Sequence, residues 1–352
     1  MGTPGKFAAF GSRHRARRSR VAMAADEDWQ RRVIERSKEL DHEHRRRVRS
    51  ASESGVARVL ALRLVRHAIR RLFIAPIRRQ ERSVPHPPAG HIAVTFVGHA
   101  SVMLTTHQTR LLVDPFFGNF LLGVRRREAA CLRQADAADT DVVLVSHAHR
   151  DRLDRPSLRR ISRRAVLVVP PRCLSLVQGL GFANAIELAP GQSFQHADVD
   201  ITAVAARHDG RRGLLDRHWR SAVGYIVKSG GASVYYAGDT AYFSGFEEIG
   251  RRLQPNVALL PIAGYEPPSQ RADHMSPLDA LQAFRDLGAQ LLVPIGHGSF
   301  PVGYESMNEP LDWLSRLCQE RGLADRLVVL RPGESCDVHG RAAGFPPGSA
   351  RG

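Results

Sequence analysis

Apolar positions along the chain follow two different periods, separated by a proline-rich stretch, "SVPHPPAGH", from Ser83 to His91. Before that boundary, residues 56–75 read "VARVLALRLVRHAIRRLFIA". At about 100° per residue, Ala61, Leu62, Leu64, Val65, Ala68, Ile69, Leu72 and Phe73 share one half of the helical wheel. Arg63, Arg66, His67, Arg70 and Arg71 share the other half, with Arg58 the chief exception. The spacing predicts a basic amphipathic helix. Its apolar face has two uses open to it: packing on its own domain, or lying in the headgroup boundary of an anionic membrane. Residues 1–55 are arginine-rich with few large apolar side chains, so disorder or a loose helix is expected there.

Beyond the boundary the apolar runs become short. "IAVTFVG", "SVMLTT" and "RLLVD" predict a meander of neighbouring antiparallel strands. From Asp141 onward strands alternate with helices. "VVLVS", "AVLVVP", "VDITAVAA", "SAVGYIVKS", "ASVYYAGD", "VALLPI" and "LLVPIG" read as strands. Helices are expected from Pro156, near Cys173, across Gly245 to Leu253, from Pro277 to Leu287 and around Trp313. Strand runs followed by strand–helix alternation predict an α/β layered fold with helices over both outer faces. The expected organisation is a basic extension over residues 1–90, a catalytic domain over 91–340 and a disordered tail over 341–352.

Composition narrows the function classes. The chain has 352 residues, enough for one domain of about 200–250 residues plus an extension. No uninterrupted apolar run reaches the ~18–20 residues that span a bilayer. The formal net charge is +16, and residues 1–90 hold 22 Lys+Arg against 9 Asp+Glu, a net +13. The basicity therefore belongs to the extension, and the catalytic body is near neutral. The four cysteines, Cys131, Cys173, Cys318 and Cys336, form no C-x-x-C pair, which fits neither a disulfide scaffold nor a thiolate zinc site. The opening residues carry a basic patch but no apolar segment long enough for export, so a cytoplasmic protein is expected, in peripheral contact with the inner membrane surface if the amphipathic helix is interfacial.

The candidate chemistry begins in "SHAHRDRLD", Ser146 to Asp154. The strand before it delivers a loop carrying His147, His149 and Asp151. Histidines at i and i+2 can address one cation from extended or turning backbone, which a strand end supplies. Imidazole and carboxylate donors suit zinc, or iron and manganese where oxygen dominates. Three further residues able to bind metal close later strands: His208 after "VDITAVAAR", Asp239 in "AGDT" and His297 in "GHGSF". Polar groups gathered at one rim of a layered sheet define a site from residues distant in sequence.

Together with "FVGHASVML", "LLVDPFF", "RRGLLDR", "YYAGDTAYFSGFEEIGRRL", "PIAGYEP", "DHMSPLDA" and "PIGHGSF", these motifs resemble the metallo-β-lactamase fold superfamily. The branch they resemble contains N-acylphosphatidylethanolamine phospholipase D and ascorbate-6-phosphate lactonase, and the likeness covers about residues 90–335. The resemblance implies an αββα four-layer sandwich. It implies that His147, His149 and His208 bind a first metal, that Asp151 and His297 bind a second, and that Asp239 bridges both. It places Asp114 behind a ligand, His274 beside the substrate where it protonates the leaving group, and His99 packed near the site. The family pattern has a histidine where this chain has Arg152. Arginine keeps its proton and cannot ligate, so a second ion would rest on Asp151, Asp239 and His297 alone and bind more weakly.

The resemblance implies a metal-dependent hydrolase with one or two zinc ions, in which a hydroxide held by the metal attacks and Asp151 orients it and accepts its proton. A phosphodiester of an N-acyl phospholipid or a related lipid is the expected substrate, with a lactone or other ester as the alternative. A different class of reading is a nucleic-acid-associated protein using the arginine-rich extension on phosphates. The near-neutral catalytic body and the lack of aromatic–basic interleaving in the extension weigh against nucleic acid.

Overall fold

The computed structural model describes residues 82–339, except 214, 215 and 217. The amphipathic helix expected over residues 56–75, the rest of the extension before residue 82 and the tail over 341–352 lie outside the described residues.

Two mixed sheets stack face to face. The first has seven strands in the order β15-β1-β2-β3-β6-β7-β8. Its members are β1 (Ile92–Gly98), β2 (Ser101–Thr105), β3 (Arg110–Val113), β6 (Val142–Leu144), β7 (Val166–Val169), β8 (Asn184–Glu187) and β15 (Ser335–Val338). The second runs β14-β13-β12-β11-β10-β9. It holds β9 (Ser193–His196), β10 (Val199–Ala205), β11 (Val223–Ser229), β12 (Ala232–Tyr236), β13 (Val257–Pro261) and β14 (Leu291–Ile295). A small hairpin, β4 (Phe120–Leu121) with β5 (Val124–Arg125), stands apart.

Each sheet is antiparallel on one side and parallel on the other. Strands β1, β2 and β3 pair antiparallel, and β3, β6, β7 and β8 pair parallel. In the second sheet β9 to β12 pair antiparallel, and β12, β13 and β14 parallel. Parallel neighbours need a crossover connection, and the crossovers carry the helices to the outer faces. The strands are apolar on both faces because both are covered. Leu111, Val113, Val142 and Leu144 meet Tyr225, Val227, Tyr236 and Leu259 between the sheets. Leu112, Val143 and Val145 point outward under Leu158, Ile161 and Val177. On the opposite face Ala258 and Leu260 pack under Phe246, Leu281, Phe284 and Leu314. This is the αββα sandwich. The helix Pro277–Leu287 begins at a reciprocal Ser276–Asp279 capping box and stops at Gly288, which is left-handed. No helix among the described residues is long and apolar enough to cross a membrane.

The topology sets the site. Strands β10, β12, β13 and β14 all run in the same direction, so they end at one rim. The loop after β6 reaches that rim from the other sheet, where the Val223 N–H donates to the carbonyl of Ser146 at 2.9 Å. Gly238, at φ 64°, is a point of close approach: a Cβ there would lie 2.8 Å from Cβ of Ser146. A side chain before Asp239 would push the two sheets' catalytic loops apart.

Candidate metal centre

His147, His149, His208 and Asp239 converge at that rim, each offering a ligand atom within 4.8 Å of the others. The partners of each ring define which nitrogen is free. His208 Nδ1 lies 2.9 Å from the carbonyl oxygen of Asp273, so it carries the proton and Nε2 presents a lone pair. His147 Nδ1 lies 3.0 Å from Ser146 Oγ. That hydroxyl donates to Asp114 Oδ2 at 2.5 Å and so accepts from the imidazole, leaving His147 Nε2 free. Both free Nε2 atoms face His149 Nδ1, at 2.9 and 3.2 Å. Three ring nitrogens crowded on one point are what a shared cation satisfies: on tetrahedral zinc with Zn–N of about 2.0 Å, ligand nitrogens stand roughly 3.3 Å apart. Asp239 Oδ2 lies 3.6 Å from His147 Nε2 and completes a set of three nitrogens and one carboxylate. Burial lowers the pKa of all three histidines below the usual 6.5, which keeps them neutral, the form that ligates. The residues present fit a metal ion.

Asp114 supports the cluster through Ser146. Its carboxylate accepts the Ser146 N–H at 2.7 Å, the Ser146 hydroxyl, and the Tyr236 hydroxyl at 2.7 Å. Partners of this kind fix the tautomer and orientation of a ligating histidine. Burial raises the Asp114 carboxyl to about 6 despite Arg152 and these donors. Ser146, Tyr236 and the Asp273 carbonyl were not read as functional from sequence. The serine stands directly before the first histidine, but nothing in the sequence tells that its hydroxyl, rather than its backbone, is used.

Arg152 is the side chain whose placement departs most from the sequence reading. It is 2% exposed and lies between the carboxylates expected to hold a second metal. Nη2 donates to both oxygens of Asp239, at 2.6 and 2.8 Å, and Nη1 to Asp151 Oδ2 at 2.5 Å. Nε is 3.5 Å from Asp114 Oδ2, and Nη1 is 2.9 Å from His99 Nε2. Burial alone would raise the Asp151 and Asp239 carboxyls, but the guanidinium, together with His99 and His149 at Asp151 and with His147, His208 and His274 at Asp239, more than offsets it and holds both well below the usual carboxylate range. His99 Nε2 also lies 2.8 Å from Asp151 Oδ2.

The expected second site of Asp151, Asp239 and His297 is therefore not assembled among the described residues. A guanidinium occupies the space between the two aspartates and supplies the positive charge that an ion would have supplied. His297 is turned elsewhere: its backbone bridges to His99, and its ring stacks on Phe96 with centroids 6.2 Å apart. Burial lowers its pKa to about 4. Asp151, tied to Arg152 and His99, is a poor base, contrary to the expectation that it accepts the proton of the nucleophile. His274 does reach the cluster, with its ring 5.0 Å from that of His208. Gly264, at φ 87°, makes room for it: a Cβ there would lie 3.3 Å from the His274 ring.

Comparison with known proteins gives the same class. Residues 109–297 match the family model of the β-lactamase superfamily domain. A UPF0173 metal-dependent hydrolase of Methanopyrus kandleri is 30% identical over 248 residues, 69% of this chain and 98% of that protein. An N-acyl-phosphatidylethanolamine-hydrolyzing phospholipase D of Caenorhabditis elegans is 29% identical over 257 residues, 67% of this chain and 72% of that protein. Among solved structures, a metallo hydrolase of the archaeon Ignicoccus hospitalis superposes with a TM-score of 0.53 at 23% identity, covering 70% of this chain and 98% of that one. The chain belongs to the β-lactamase superfamily and is a metal-dependent hydrolase of the metallo-β-lactamase fold.

Proposed function

We propose that the enzyme hydrolyses the phosphodiester of an N-acyl phospholipid or a closely related lipid, using one zinc ion held by His147, His149, His208 and Asp239. The donor cluster serves hydrolysis of many bonds, so the substrate class is carried by one observation, the likeness to the nematode phospholipase over 67% of the chain. Three imidazoles and one carboxylate form a nitrogen-rich set that favours zinc over manganese.

A zinc ion bound there would supply a nucleophilic water at neutral pH and a Lewis acid for the phosphoryl oxygen. The remaining work falls to the chain. Arg152 holds Asp239 by both oxygens, which fixes the ligand's orientation and places a permanent positive charge beside the developing negative charge of the phosphorane. His274 is kept neutral first by burial and then by His208, so it is ready to accept a proton. It takes the proton released as water attacks and returns it to the leaving alcohol oxygen.

The test is a substrate panel with zinc-loaded full-length protein. N-acylphosphatidylethanolamine in mixed micelles is expected to yield phosphatidate and the N-acylethanolamine, with oxygen from isotopically labelled water in the phosphatidate. Turnover of lactones or carboxyl esters with none of any phosphodiester would overturn the reading.

A further inference from the structure

Arg150 sits between His149 and Asp151 but takes no part in the metal centre. Its side chain is exposed and, among the described residues, makes no hydrogen bond or ion pair. It opens onto a cavity of about 370 Å³ that Arg155, Arg159 and Arg212 also line. Arg155 donates to the Leu176 carbonyl at 2.7 Å, and Arg212 to those of Ala148 and Leu153 at 3.1 and 2.9 Å. These bonds hold the guanidiniums in place without neutralising them. The one carboxylate at the cavity, Asp154, accepts the N–H and hydroxyl of Ser157 at 3.0 and 2.6 Å, and its single charge leaves the four arginines in excess. Arg212 shows the crowding of like charge: burial first, then Arg150, lowers its pKa.

The opposite wall is apolar and equally unpartnered. Phe120 is 60% exposed and Leu122 81% exposed, both on the β4–β5 hairpin. Leu122 and Gly123 form its turn, at φ 47° and 83°. A turn with both central residues left-handed favours Asn-Gly, so a leucine there costs backbone strain as well as exposed apolar area. Phe116 joins this wall to the metal centre, with its ring 6.3 Å from that of His99.

We propose that the hairpin and the four arginines are a docking surface for an anionic phospholipid bilayer. Phe120 and Leu122 enter the acyl boundary while Arg150, Arg155, Arg159 and Arg212 meet lipid phosphates. Excess positive charge beside an apolar tip matches an anionic amphiphile. A nucleic acid would use the charge and leave the tip in water. The inference goes beyond the proposed reaction, since docking needs only the surface and not a particular scissile bond.

Co-sedimentation with vesicles tests it, in full-length protein so that the basic extension is constant. The vesicles contain phosphatidylcholine and phosphatidylglycerol in equal parts, with pure phosphatidylcholine as the comparison, at low salt. The double variant Arg150→Gln, Arg159→Gln is expected to bind the anionic vesicles about thirtyfold more weakly, the share of two basic residues at such a surface. Leu122→Asn, which suits the turn and leaves the fold intact, is expected to lose about tenfold by withdrawing one apolar side chain. The arginine variant keeps the parent's melting temperature, and Leu122→Asn does not lower it. Unchanged affinity in the arginine variant would mean that these charges do not meet the membrane, and unchanged affinity in Leu122→Asn that the tip does not enter it. Either result overturns the proposal.

Discussion

Replacing Arg152 with methionine is expected to cost the metal-free protein about 3–5 kcal/mol of stability, the usual price of leaving a buried ion pair with one partner. Methionine keeps much of the side chain's volume, so the loss measures charge more than packing. Two aspartates, Asp151 and Asp239, would lose a guanidinium that now touches them at 2.5 to 2.8 Å. The pH dependence has a definite sign. In the parent both carboxyls are held well below the usual carboxylate range, so their contribution is fully present above the unfolded pKa of about 3.9 and is lost only as pH falls through the lower folded values. In the variant the largest influence opposing burial is gone, so both carboxyls shift upward from their parent values. The stability gap between the two proteins is therefore widest at neutral pH and narrows in acid. Urea unfolding after chelation, at pH 7 and pH 5, measures it. An equal gap at both pH values, or none, would show that the guanidinium is not compensating these carboxylates. Arg152→His is the companion variant: it removes the charge and returns a donor, and is expected to admit a second ion.

His147→Ala and His208→Ala are expected to abolish turnover and weaken metal binding by more than about a hundredfold, since partners behind a ligand alone are worth about 10–100-fold. Each variant deletes one of three nitrogens that point at a common centre. The fold is expected to persist, because the cores on either side of the central sheets do not include these rings. Metal analysis after gel filtration, alongside circular dichroism, separates loss of the ion from loss of the fold. Retained metal and full rate in both variants would remove the assignment.

Much of the architecture is legible in the sequence because covered strands are apolar on both faces. The runs from Ile92 to Gly98 and from Pro277 to Leu287 match their elements residue for residue. The strands Asn184–Glu187, Ser193–His196 and Ser335–Val338 are not legible: they lie at sheet edges, half exposed, and carry no apolar run. The β4–β5 hairpin has only two residues in each strand. In the site, the strand-end histidines and Asp239 stand out because each follows a buried strand. What sequence could not give is the aim of a long side chain. In the sequence Arg152 stands as a missing ligand that weakens a second ion, whereas its reach lets the guanidinium take up the space between the two aspartates. With that space filled, nothing draws His297 toward the cluster, and its ring rests on Phe96.

On the proposed reading the chain binds one metal ion, with the Arg152 guanidinium in place of a second. Zinc titration of the chelator-stripped, full-length protein, followed by isothermal calorimetry and checked by elemental analysis of the saturated product, tests it directly. The parent is expected to bind one ion tightly and show no second site of comparable affinity. Two equally tight ions per chain in the parent would contradict the account, because they would require Arg152 to leave Asp151 and Asp239.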